Sequence, residues 1–175
     1  ASAPLEELES GEIQSIFFGA MGPLAKAKML AFHVPDGLSS AARRDWLGFV
    51  LERTSFGGRL SSGRAMISFL GPDGLRRLGF GDPADADGLE GFPAAFRQGM
   101  SMEARSRALD DVGRNAPEHW SWGNGQKPVD MMIICYAAIK KDLDSDVQAV
   151  LRAAEKAGIE LTVGLPLAVR RKGGQ

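Results

Sequence analysis

Two histidines, one cysteine, one tyrosine and a close tryptophan pair are the residues of this chain that could serve a reaction. His33 and His119 are the nitrogen donors. A haem iron needs a neutral imidazole whose other nitrogen is held by a carboxylate or carbonyl. Neither histidine shows a plausible carboxylate partner, so both read as structural or surface residues. Cys135 could be a thiolate ligand, but that chemistry needs a cationic, partly exposed setting. It lies inside the apolar run 131–139 and reads as an inert core thiol. Tyr136 could relay an electron; a core phenol with one hydrogen bond is the plainer reading. Trp120 and Trp122 share one face if the segment is extended, and rings that anchor a loop are the alternative. Arg97, Arg105 and Arg107 could grip carboxylates bidentately or make ordinary surface ion pairs. The run Asp82–Glu90 carries four carboxylates without EF-hand spacing, so it reads as a solvated loop.

The elements that must position these residues are legible. The run 29–34 is a strand closed by the turn Pro35-Asp36-Gly37. Ser39 or Ser40 caps a helix over 40–54, with Ala42, Trp46, Phe49 and Val50 on one face. A second strand spans 65–70, and Pro72-Asp73-Gly74 starts a short helix. Residues 79–91 read as a polar loop rich in Gly and Asp, and 92–123 as mixed helix and turn. The strongest strand is 131–139. The next helix starts at Asp142, Asp144 or Ser145 and ends at Gly158, with Leu143, Val147, Val150, Leu151, Ala154 and Ala157 as its apolar stripe. A last strand spans 159–165. Two β-α-β units in this order predict an α+β, ferredoxin-like domain: a four-stranded antiparallel sheet with helices on one face. One domain over 1–175 is expected, with 1–28 as an extended arm, 79–130 as a long insertion and 170–175 as a flexible tail. Residues 131–139 are apolar on both faces, so something must also cover the sheet face away from the helices.

Composition narrows the function classes. A net charge of −1 gives no argument for nucleic acid or anionic lipid. One cysteine excludes a disulfide within the chain. No apolar run approaches the roughly 18 residues of a membrane span, and no secretory signal is recognisable. The first residues are Ala-Ser-Ala-Pro rather than Met, which raises the expectation of trimming or of a fragment. A soluble protein is expected, cytoplasmic or secreted after processing.

Residues 92–123 hold the most specific pattern: Phe92, Phe96, Gly99 and Met100, then Arg105, Leu109, Asp110, Pro117, Trp120, Trp122 and Gly123. In order and spacing this stretch resembles the dye-decolorizing haem peroxidases. The likeness extends from Ile13-Gln14 through Gly74-Leu75 and Leu78-Gly79 to Val129-Asp130. It implies the amino-terminal half of the larger members, in which haem b lies between two ferredoxin-like halves and is ligated by the second. The family's distal Asp comes from a Gly-x-x-Asp-Gly signature. That signature is absent here, since Gly71-Pro72-Asp73-Gly74 is one residue short. The family's distal Arg and axial His belong to the second half.

The resemblance therefore implies no catalytic residue and no metal ligand in this chain, and no activity from it alone. It implies a haem-bearing carboxy-terminal half as partner, separate or cleaved. Hydrogen peroxide and a bulky dye or phenol are the expected substrates, with no nucleic acid or membrane partner. It gives Trp120, Trp122 and Tyr136 a possible electron-transfer role, and places Arg97, Arg105 and Arg107 near haem propionates or the inter-half boundary. Two rivals remain. One is a haem-free binding or assembly protein that dimerises through its sheet face. The other is a small haem or monooxygenase-type enzyme built as a dimeric barrel, which the missing ligand set disfavours.

Overall fold

The computed structural model describes residues 9–19, 21, 24–57, 63–80 and 88–168. Four strands, β1 (Lys26–His33), β2 (Arg64–Leu70), β3 (Met131–Ala137) and β4 (Glu160–Ala168), form one antiparallel sheet in the order β2-β3-β1-β4. Among the described residues five α-helices accompany them: α1 (Ser40–Arg53), α2 (Pro72–Arg77), α3 (Ala94–Gln98), α4 (Glu103–Ala108) and α5 (Lys140–Ala157). This is the expected ferredoxin-like α+β fold.

Local chemistry explains the two long helices. Ser39 caps α1 by accepting the Ala42 amide at 3.1 Å. Gly158 ends α5 in the left-handed region, at φ +74°. The start of α5 differs from the sequence reading. It begins at Lys140 behind Ile139, with no side-chain cap. Asp142 and Asp146 are engaged elsewhere: Arg64 reaches them at 2.5 and 2.9 Å and ties β2 to α5.

One face of the sheet packs on α1 and α5. Leu30, Phe32, Met66, Met131, Ile133 and Cys135 meet Trp46, Val50, Val147 and Val150 in the main core. Trp46 is 1% exposed; its indole N–H points to Met131 Sδ at 3.3 Å and its ring meets Phe32 edge-on. At about 25 cal/mol per Å², each such large side chain contributes roughly 1.5–3 kcal/mol of burial free energy.

The other face is apolar through three consecutive registers. Phe69, Met132, Ala31 and Val163 form one row; Ile67, Ile134, Met29 and Leu165 the next; Ala65, Tyr136, Ala27 and Leu167 the third. The chain covers part of this face itself. Ile16, Met21 and Leu24 pack on Ala65, Ile67 and Tyr136. The Gln14 side-chain amide donates to Ser68 O at 2.8 Å and accepts from Ser68 N at 3.0 Å, closing the β2 edge as a strand residue would. The amino-terminal stretch is thus not simply extended: its described part holds 3-10 turns at Ser10–Glu12 and Ser15–Phe17, and β1 already starts at Lys26. The tail at 170–175 lies outside the described residues, as does 81–87 of the polar loop. Leu89 corrects the reading of that loop, because it is fully buried and pins it down.

Candidate functional site

A groove of about 1150 Å³ opens where α2 meets the segment before β3. Its walls bring together Trp120, Trp122, His119, Arg114, Arg77 and Asp130. The loop that carries the tryptophans is organised by Asn124. Its side-chain amide donates to Trp120 O at 2.8 Å, while its Oδ1 accepts the amides of Gln126 and Lys127 at 3.0 and 2.9 Å. Gly123, at φ +81°, donates to Lys127 O at 2.8 Å and closes the turn. The Trp120 indole donates to Asn115 O at 3.0 Å, which fixes the ring. Both tryptophans stay partly exposed, so the rings serve the groove as well as the loop.

The floor of the groove is a polar junction that the sequence did not reveal. Asp130 is 2% exposed, and its Oδ2 accepts from Val34 N at 2.8 Å and from His33 Nδ1 at 2.7 Å. A carboxylate can only accept, so Nδ1 carries the proton. Arg77 Nη1 donates to Val34 O at 2.8 Å and lies 3.3 Å from both ring nitrogens of His33. A nitrogen equidistant from both cannot lie in the ring plane without striking Cε1, so the guanidinium rests on the ring face. The reading that neither histidine has a carboxylate partner is therefore corrected for His33. The partner is 97 positions away, which no local pattern could reveal. Gly74 completes the junction. A Cβ there would stand 2.1 Å from Asp130 O, so only glycine lets α2 seat on the start of β3. This is a packing reason for the Gly74 and Asp130 positions that carry the resemblance.

The remaining candidates lie apart. Arg107, 72% exposed, pairs with Glu103 one turn away. Arg105 and Arg97 are half-buried on α4 and α3. None of the three lines the groove. Tyr136 sits on the second sheet face against Met21 and Leu24, where burial raises its phenol pKa. It lies six residues along β3 from Asp130, roughly 20 Å at ~3.3 Å per residue.

No side chain of the groove or its floor fits as an axial ligand to a haem iron. The imidazole of His33 lies beneath a guanidinium, which opposes bringing a second cation to it. His119 is exposed, and among the described residues its hydrogen bonding is confined to the backbone. Cys135 is 1% exposed, and burial, with Asp146 adding to it, pushes its thiol up to about 12, so it stays protonated at neutral pH. Among the described residues no group of three or more His, Cys, Asp or Glu could hold a metal ion. Nor is any described helix long and apolar enough to cross a membrane.

The ferredoxin-like fold of this chain is shared by dye-decolorizing peroxidases. A dye-decolorizing-type peroxidase from Anabaena sp. superimposes with a TM-score of 0.77 at 14% identity, over 93% of this chain and 36% of its own. An ancestral D-type dye-decolorizing peroxidase gives 0.68 at 18%, over 94% and 36%. The dye-decolorizing peroxidase of Auricularia auricula-judae gives 0.64 at 16%, over 94% and 34%. The chain spans about a third of the length of these structures. At such identities the likeness is one of fold. The sequence matches no family model and no curated protein.

Proposed function

We propose that this chain is the amino-terminal half of a dye-decolorizing-type haem peroxidase, whose haem ligands come from a carboxy-terminal half. The observation that carries the reading is the second sheet face. Three registers across four strands are apolar, Ile16, Met21 and Leu24 pack on Ala65, Ile67 and Tyr136, and Phe69, Leu165 and Leu167 are left 41%, 36% and 38% exposed. A face of this kind asks for a permanent apolar partner, and obligate interfaces of this type bury more than ~2,000 Å² in total. The fold likeness over nearly the whole chain but a third of each neighbour supports the same reading. When bound, haem supplies the cleavage of hydrogen peroxide and the oxidising equivalents for a dye or phenol. This chain supplies the docking face and a groove whose Trp120 and Trp122 rings meet a bulky donor.

Leu165→Asp and Leu167→Asp test the docking face. Both side chains are already partly exposed, so each change should cost the isolated chain only about 1–2 kcal/mol. Burying an unpaired carboxylate in an apolar interface costs several kcal/mol and breaks the assembly. Native mass spectrometry of the complex, with circular dichroism of the variants, reads both effects. Full assembly of either aspartate variant removes the face from the interface. Pairing of two copies of this chain alone through the face favours the haem-free assembly reading.

A further inference from the structure

Arg77 also lines a second, smaller cavity of about 290 Å³, together with Pro35, Asp36, Gly37, Arg43 and Arg76. Three guanidiniums reach it from two elements, Arg43 from near the start of α1 and Arg76 and Arg77 from the last turn of α2. Two of them have settled acceptors. Arg76 pairs with Asp73 at 2.7 Å, and Arg77 donates to Val34 O at 2.8 Å. Arg43 differs. Its Nε is buried without a hydrogen-bond partner among the described residues. Its Nη1 lies beside the turn that follows α2, 3.4 Å from where a Cβ of Gly79 would be. A buried cationic donor without an acceptor is costly and calls for an explanation, a bound ion among them.

The balance of donors and acceptors points the same way. The one carboxylate in the lining, Asp36, is 87% exposed and stands 3.8 Å from Arg77 Nε, outside hydrogen-bond reach. Asp73 and Asp130, which neutralise Arg76 and Arg77, line the neighbouring groove instead. We propose that this cavity binds a phosphate-type dianion. Guanidinium forks match oxyanions bidentately. A tetrahedral dianion offers acceptors in several directions to cations arriving from two helices, whereas a carboxylate offers two oxygens in one plane. The volume of about 290 Å³ equals about ten waters at their ~30 Å³ share of the liquid. A phosphomonoester with a small organic body fits it as well as free phosphate does. The site is separate from the open sheet face and stands whether or not a haem-bearing half docks there.

Titration of the full chain with sodium phosphate and with a small phosphomonoester, at constant ionic strength, tests the site. The readout is the nuclear magnetic resonance shift of the Gly37 and Gly79 amides and the Arg43 Nε–H. Saturable shifts at these three are expected. Arg43→Gln should weaken binding roughly tenfold or more, the loss expected for a charge-assisted hydrogen bond, and Arg43→Lys should recover only part of it. If Arg43→Gln does not fold, Arg43→Lys alone carries the comparison, because it keeps the charge and loses the fork. Shifts that never saturate, or that chloride reproduces, overturn the proposal. So does unchanged affinity in the Arg43 variants, which would mean an adventitious ion only. Asp82, Asp85 and Asp87 lie in a segment outside the described residues. If phosphate binds only after these are changed to Asn, an internal carboxylate serves Arg43 and the proposal fails.

Discussion

Gly74→Ala is the sharpest test of how α2 is seated on the sheet. The added methyl would stand 2.1 Å from Asp130 O and 2.8 Å from its carbonyl carbon. Close carbon–oxygen contacts lie near 3.3 Å, so α2 and the start of β3 must separate by more than ~1 Å. Overpacking of this kind costs about 1–3 kcal/mol. The separation also loosens the Gly71 N to Asp130 O bond at 2.9 Å and threatens the bonds from His33 and Val34 to Oδ2. One buried group left unpaired adds about 1–3 kcal/mol. Against this, alanine is better than glycine inside a helix by about 1 kcal/mol. The net expectation is a loss of ~2–4 kcal/mol, or about 5–15 °C in Tm for a chain of this size. Gly48→Ala is the matched control. It lies in α1, and its Cβ would meet nothing within 4 Å, so it should stabilise by about 0.5–1 kcal/mol. Thermal and urea unfolding followed by circular dichroism compares the two. If Gly74→Ala is as stable as wild type, α2 does not seat on Asp130 and the junction argument fails.

Further expectations concern the core and its ionisable groups. Ile133, fully buried on the helix side, should cost about 2–5 kcal/mol on change to Ala; Ile134 on the second face should cost less in the isolated chain and more in the assembly, and equal costs in both states would deny a docked partner. Asp130→Ala should destabilise by about 1–3 kcal/mol, because it leaves the buried Val34 amide and His33 Nδ1 without their acceptor; denaturant midpoints decide. The folded Cys135 thiol is raised from 9.0 to about 12. The native state therefore holds a proton that the unfolded chain releases, so stability is fully present below pH 9 and falls as pH rises toward 12. Tyr136, also raised by burial, acts in the same direction. Urea midpoints across this alkaline range should decline less steeply in Cys135→Ala. A native thiol that reacts with a maleimide at neutral pH as fast as a free cysteine would contradict the burial.

Features written in local chemistry were legible in the sequence. The α5 stripe, the Ser39 cap, the Gly158 stop and the two-faced apolar character of β3 each follow from neighbouring residues, and they led to the fold. Features that join distant positions were not. Nothing near His33 announces Asp130, and nothing near Asp142 announces that Arg64 claims it and leaves α5 to start uncapped. Leu89 sits alone in a polar run, so its burial had no periodicity to reveal it. The cover of the second face was predicted as a need, but its supply by Ile16, Met21 and Leu24 depends on where the chain turns after Phe17. Trp120 and Trp122 could be singled out by type and spacing; the groove they share with Arg77 and Arg114 exists only once α2 and the 111–130 segment are brought together.

On the proposed function this chain works as one half of a two-part peroxidase. Native mass spectrometry of the protein isolated from its source, with peroxidase turnover measured on the same sample, tests it most directly. The expected result is active material in which these 175 residues are held with a haem-bearing carboxy-terminal half, so the mass well exceeds 18.7 kDa. Full turnover from a species containing only this 18.7 kDa chain, alone or as copies of itself, would contradict it.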